Sequence, residues 1–116
     1  MPHVQIRHAQ PLAALLPALS SFQETAAPDV RKVQAAYLAP DGHHLLLEVI
    51  VVEQYLRQRF FLLLREEAGN VVVRCHPFCA PQKTDGVKRL IAGIAQLCRA
   101  QSPGGEIGHT NLEPYL

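Results

Sequence analysis

Apolar positions recur along the chain with two periods. His3-Val4-Gln5-Ile6-Arg7-His8 alternates polar with apolar, the two-residue period of a short strand. Leu12, Leu15, Leu16 and Leu19 follow the i, i+3, i+4, i+7 spacing of one helix face, and Phe22 extends the stripe. Pro17 interrupts it, because an interior proline lacks an N–H and crowds the preceding turn, so the helix either kinks there or begins there. Ala26-Ala27-Pro28-Asp29 closes the segment.

The middle of the chain reads as a series of strands divided by turns. Val30 to Ala39 leads into Pro40-Asp41-Gly42, a hairpin signal in which proline presets φ and glycine accepts the left-handed position. The run Leu45 to Val52 follows, then Leu56 to Glu66, then Val71 to His76 beyond an Ala68-Gly69 turn. The joint at Gln54-Tyr55 contains no turn-forming residue, and a single helix across 45–66 is the competing reading. His76-Pro77-Phe78-Cys79-Ala80-Pro81 is a loop. Thr84-Asp85-Gly86 then offers a cap to an amphipathic helix whose apolar face is Val87, Leu90, Ile91, Ile94, Leu97 and Cys98. Ser102-Pro103-Gly104-Gly105 stops that helix.

These elements predict an α+β fold: a two-layer sandwich in which two helices pack on one face of an antiparallel four- to five-stranded sheet. Residues 1–103 form the single domain in this reading, and 104–116 an extended C-terminal tail. The order strand, helix, strands, helix looks like that of helix-grip ligand-binding domains. Without its first strand it looks like small secretion-chaperone folds.

The hairpin turns imply registers. Closing at Pro40-Asp41-Gly42 places Val33, Ala35 and Tyr37 on one face with Leu45, Leu47, Val49 and Val51. A two-residue turn at Gln54-Tyr55 sets Val49 opposite Phe60 and Leu47 opposite Leu62, and the Ala68-Gly69 turn sets Leu64 beside Val73. The three turns agree on one continuous apolar face for the helices.

The other face carries Lys32, Gln34, Leu38, His44, Leu46, Glu48, Ile50, Val52, Arg57, Arg59, Phe61, Leu63, Arg65, Val72, Arg74 and His76. A solvent face of an antiparallel sheet is ordinarily polar. This one has an apolar island, Leu46, Ile50, Phe61, Leu63 and Val72, ringed by four arginines and two histidines, a composition suited to an interface. Leu46, Arg57, Arg59, Phe61, Leu63, Arg65 and Arg74 are therefore the candidate binding residues. The expected function is non-enzymatic: binding or assembly, by homodimerisation or by engaging a peptide or small anionic ligand. Cover by another part of the same chain is the alternative fate of the island.

Composition narrows the classes. The 116 residues are 48% hydrophobic and 18% charged, enough to form a core. A net charge of +1 argues against a dedicated nucleic-acid binder, and no apolar run approaches the length of a spanning helix, so no membrane role is expected. The N-terminus lacks the features of a secretory signal, and three cysteines make no disulfide framework, which points to the cytoplasm.

Cys75, Cys79 and Cys98 with His43 and His44 suggest a metal only weakly. The first two form a Cys-x₃-Cys pair, but Cys98 sits on the apolar helix stripe and adjacent strand histidines face opposite ways. No metal or other cofactor is expected, and no nucleophile elbow, Gly-rich phosphate loop or pair of carboxylates with an obvious catalytic spacing is present. Met1-Pro2-His3 resembles the start of the tautomerase superfamily, in which an N-terminal proline exposed by methionine removal acts as general base. That resemblance implies an alternative, a tautomerase-like enzyme using Pro2. The family repeats a β-α-β unit that this pattern does not follow.

Overall fold

The computed structural model describes residues 1–116. Seven strands form one antiparallel sheet: β1 (His3–Arg7), β2 (Gln23–Ala26), β3 (Asp29–Leu38), β4 (His44–Glu53), β5 (Leu56–Glu67), β6 (Asn70–Cys75) and β7 (Glu106–Thr110). Helix α1 (Leu12–Ser20) follows β1 and helix α2 (Asp85–Ala100) follows β6. The spatial order is β2-β3-β4-β5-β6-β1-β7, curled into a half-barrel. No helix is long and apolar enough to cross a membrane.

The expected four- to five-stranded sheet is thus too small. The chain is 45% strand, and the sheet continues through β2 and β7 at its two edges. Both escape a pattern search for the same reason. All four residues of β2 are exposed, and β7 has no buried position, so neither shows apolar alternation. Each forms because an already folded neighbour, β3 or β1, presents free backbone donors and acceptors along its edge.

Helix α1 runs through Pro17 and buries Leu12, Leu15 and Leu19. Residues 45–66 are the two strands β4 and β5, paired from His44↔Arg65 to Glu53↔Leu56 around Gln54 and Tyr55. Glycine permits the two neighbouring turns, with φ of 75° at Gly42 and 81° at Gly69.

The β4–β5 and β5–β6 registers pair Val49 with Phe60, Leu47 with Leu62 and Leu64 with Val73. The β3–β4 ladder departs from the simple hairpin. Val33 faces Val49, but a bulge between Val33 and Ala35 shifts the rest, so Ala36 faces Leu47 and Leu38 faces Leu45. One extra residue inverts the parity of everything beyond it. Leu38, expected on the open side, packs against the core, and Tyr37, expected in the core, stands on the open side with 54% exposure.

Both helices lie on one side of the sheet. Leu45, Leu47, Val49, Val51, Phe60, Leu62, Leu64, Val71 and Val73 meet Leu12, Leu15 and Leu19 of α1 and Val87, Leu90, Ile91, Ile94 and Cys98 of α2 in a single core. Each fully buried aliphatic there contributes about 1.5–3 kcal/mol of transfer free energy. The segment after α2 closes the end of this layer: Leu112 enters the core, and Tyr115 in a short 3-10 helix (Glu113–Tyr115) packs against it.

Candidate binding face

The opposite side of β3–β6 has no element over it, and none of Leu46, Phe61, Leu63 or Val72 belongs to the core cluster. Alternation along paired strands decides what this side shows. β4 contributes His44, Leu46, Glu48, Ile50 and Val52, and β5 contributes Arg57, Arg59, Phe61, Leu63 and Arg65. Val72 and Arg74 of β6 lie across from Arg65 and Leu63. All seven candidate binding residues therefore share one face.

Register sets which of them touch. Tyr37, Leu46, Leu63, Arg74 and His3 are successive cross-strand partners, so one row runs from aromatic through aliphatic to cationic. Phe61 lies opposite Glu48, and Ile50 lies between Lys32 and Arg59. Ile50, between the long side chains of Lys32 and Arg59, is only 3% exposed.

Two shallow concavities mark the face. One, of about 360 Å³, is lined by Tyr37, Leu38, Ala39, His44, Leu46, Leu63 and His76 and is almost wholly apolar. The other, of about 460 Å³, lies towards the β5–β6 turn and is lined by Gln5, Arg65, Glu67, Ala68, Asn70, Val72 and Arg74. Both are open to solvent.

The charges are unevenly matched. Lys32, Arg57, Arg59, Arg65 and Arg74 stand on the β3–β6 part of the face with only Glu48 and Glu67 as carboxylates. Arg59 Nε lies 3.9 Å from Glu48, and Arg65 donates to Glu67 at 2.8 Å. That second contact holds the Glu67 carboxyl below its ordinary value. Lys32, Arg57 and Arg74 have no carboxylate within 4.0 Å. Gln5, which also lines the second concavity, accepts at Oε1 from His109 N–H at 3.1 Å.

Tyr37, Gln5 and Asn70 were not legible as members of this site. Tyr37 arrives through the bulge, and Gln5 through the β1–β6 pairing of segments far apart in sequence.

The remaining candidates sit elsewhere. His43 pairs with Glu66 and His44 with Asp41 at 3.1 Å, and no group of three or more His, Cys, Asp or Glu side chains is arranged to hold a metal. Cys75 and Cys98 are buried and Cys79 is half-buried on the loop, all three as free thiols. Pro2 is buried, its preceding carbonyl accepts from Asn111 Nδ2 at 2.8 Å, and it borders a concavity with Lys83, Lys88 and Tyr115.

Comparison with protein-family models, curated proteins and solved structures finds no match to the chain. The face is therefore interpreted from its own chemistry.

Proposed function

We propose that the protein is a non-enzymatic binding module whose open sheet face receives an acidic, partly apolar segment of another protein. The observation that carries this reading is an uncovered apolar island whose cationic margin outnumbers its own carboxylates, with Arg57, Arg74 and Lys32 unpaired. Arginine beside exposed aromatic and aliphatic groups is the composition of interface hot spots.

Charge separates the occupants. A second copy packed face to face would bring the same excess of arginine against itself, a like-charge arrangement that opposes association. An acidic partner is attracted by both ends of the island. Small ligands favour concavities that enclose most of their surface, whereas these two are shallow and open. The free thiols suit a reducing compartment such as the cytoplasm.

Selection of a displayed random-peptide library on the immobilised protein tests the reading. Enriched peptides should combine acidic with apolar residues, perturb the NMR signals of Leu46, Leu63 and Arg74, and lose binding to Leu63→Glu and Arg74→Glu. Sedimentation at rising concentration should show a monomer. A dimer dissolved by Leu63→Glu would assign the face to a second copy and overturn the proposal, as would enriched peptides that bind elsewhere or the absence of any enrichment.

A further inference from the structure

We infer that the segment received by this face is an amphipathic α-helix of about five turns, acidic in its first and last turns and apolar between, lying along β5. The inference rests on the binding role proposed above and specifies the partner's conformation and charge order.

The conformation follows from backbone accounting. β4, β5 and β6 are interior strands, each paired on both sides, so their face offers side chains and no free N–H or C=O groups. An extended segment laid on Leu46, Phe61 and Leu63 would bury backbone donors and acceptors without partners, at a desolvation cost for each. A helix satisfies those groups internally and presents only side chains.

The direction follows from the order of residues. Along its open side β5 reads Arg57, Arg59, Phe61, Leu63, Arg65, Glu67: two cations, two apolar positions, then an Arg65–Glu67 pair beside which Arg74 supplies an unpaired cation. The row across the strands, Tyr37 to Arg74, is cationic at one end only. A helix with acid at both ends and an apolar middle therefore matches the strand direction and not the cross-strand one.

The dimensions agree. Successive outward residues of β5 are about 6.8 Å apart, so Arg57 to Arg65 spans about 27 Å. A helix rises about 1.5 Å per residue, so about eighteen residues cover that span, and five full turns return to the same side. The four-residue helical repeat, about 6 Å, lies close to the two-residue step of the strand. At the far end the concavity is lined by Arg65, Glu67, Arg74 and Gln5, and with Arg65 held by Glu67 the unpaired Arg74 is the cation that a carboxylate meets there.

The probe is a capped synthetic peptide of about twenty residues, in an Ala/Gln background, with Glu in its first and last turns and Leu between on the same side. Two controls accompany it: one with each Glu replaced by Gln, and one of similar composition broken by two prolines. Titration should show saturable binding that weakens with salt, with a Kd about tenfold higher for the Gln peptide and the proline peptide inactive. Arg57→Ala and Arg74→Ala should each weaken the Glu peptide several-fold and leave the Gln peptide unaffected. Equal binding of the proline peptide overturns the helical inference while the acidic, apolar reading of the face stands. Failure of the Glu peptide beside a successful library selection does the same, and failure of both removes the underlying reading.

Discussion

Glu53, the last residue of β4, accepts a hydrogen bond from the backbone N–H of Gly86 at 2.9 Å. Its second carboxylate oxygen accepts from Thr84 Oγ1, and Thr84 Oγ1 in turn accepts from Val87 N–H at 3.3 Å. The start of α2 is thus fastened to the sheet by one side chain that brings negative charge to the helix N-terminus, accepts the otherwise unpaired Gly86 N–H and holds the Thr84 hydroxyl that accepts from Val87.

Removing that side chain has a definite cost. Glu53→Ala strands the donor of the buried Gly86, and Glu53→Gln keeps the shape but loses the charge. We expect about 1–3 kcal/mol of destabilisation for the alanine variant and a smaller loss for the glutamine variant, read from urea midpoints. Gly86→Ala should also destabilise, because a Cβ there would collide with the Glu53 carboxyl carbon and displace the same contact.

That fastening explains part of what the amino-acid pattern reveals. Thr84 as a cap and the Val87-to-Cys98 stripe are local signals, and the helix forms where they stand. The hairpins at Gly42 and Gly69 are local too, and so are the registers next to the β4–β5 and β5–β6 turns. The missing features are non-local. Gln23–Ala26 and Glu106–Thr110 carry no strand pattern and become strands only by meeting β3 and β1. Nothing local distinguishes a bulge before Ala35 from a regular ladder, yet it decides that Tyr37 joins Leu46 and Leu63 on the open face. Leu46, Phe61 and Leu63 were legible because β5 is regular throughout its pairing with β4.

The His43–Glu66 pair predicts a pH dependence. Hydrogen bonding to the Glu66 carboxylate, with its charge second, raises the His43 pKa above the ordinary 6.5. The folded chain binds that proton more tightly than the unfolded one. The pair therefore stabilises fully below the unfolded value, and its contribution is lost as pH rises through the raised folded value. An NMR titration of the His43 ring should show the elevated midpoint, and Glu66→Gln should return it towards 6.5. The stability difference between wild type and Glu66→Gln should shrink as pH rises from below 6.5 through the raised folded value. An unshifted midpoint would contradict the pairing.

Thiol reactivity should follow burial. Burial in α2 pushes the Cys98 thiol up to about 12, and burial also raises Cys75. Neither provides much thiolate near neutral pH, and both are shielded from reagent. In the native protein iodoacetamide at about pH 8 should label Cys79 first, with Cys75 and Cys98 reacting only after denaturant is added. Peptide mass spectrometry at successive times reads the order. Native labelling of Cys98 at the rate of Cys79 would show that α2 opens far more readily than its packing implies.

Leu46 and Leu47 test the two-sided character of the sheet within one strand. Leu47 is 0% exposed and belongs to the core beneath the helices, whereas its neighbour points to the side that no helix covers. Leu47→Ala leaves a cavity among side chains held by two layers, so a loss of about 2–5 kcal/mol is expected. Leu46→Ala removes half-solvated contacts with Tyr37 and Leu63 and should cost about 1 kcal/mol or less. Chemical denaturation of both variants gives the comparison directly, and the unfolding slope should stay constant if both are two-state. Binding should rank them the other way: Leu46→Ala should weaken the acidic amphipathic peptide, while Leu47→Ala should leave its affinity intact wherever the protein remains folded. Equal stability losses at the two positions would mean that Leu46 is packed as tightly as the core, and the open face could not then serve as a docking surface.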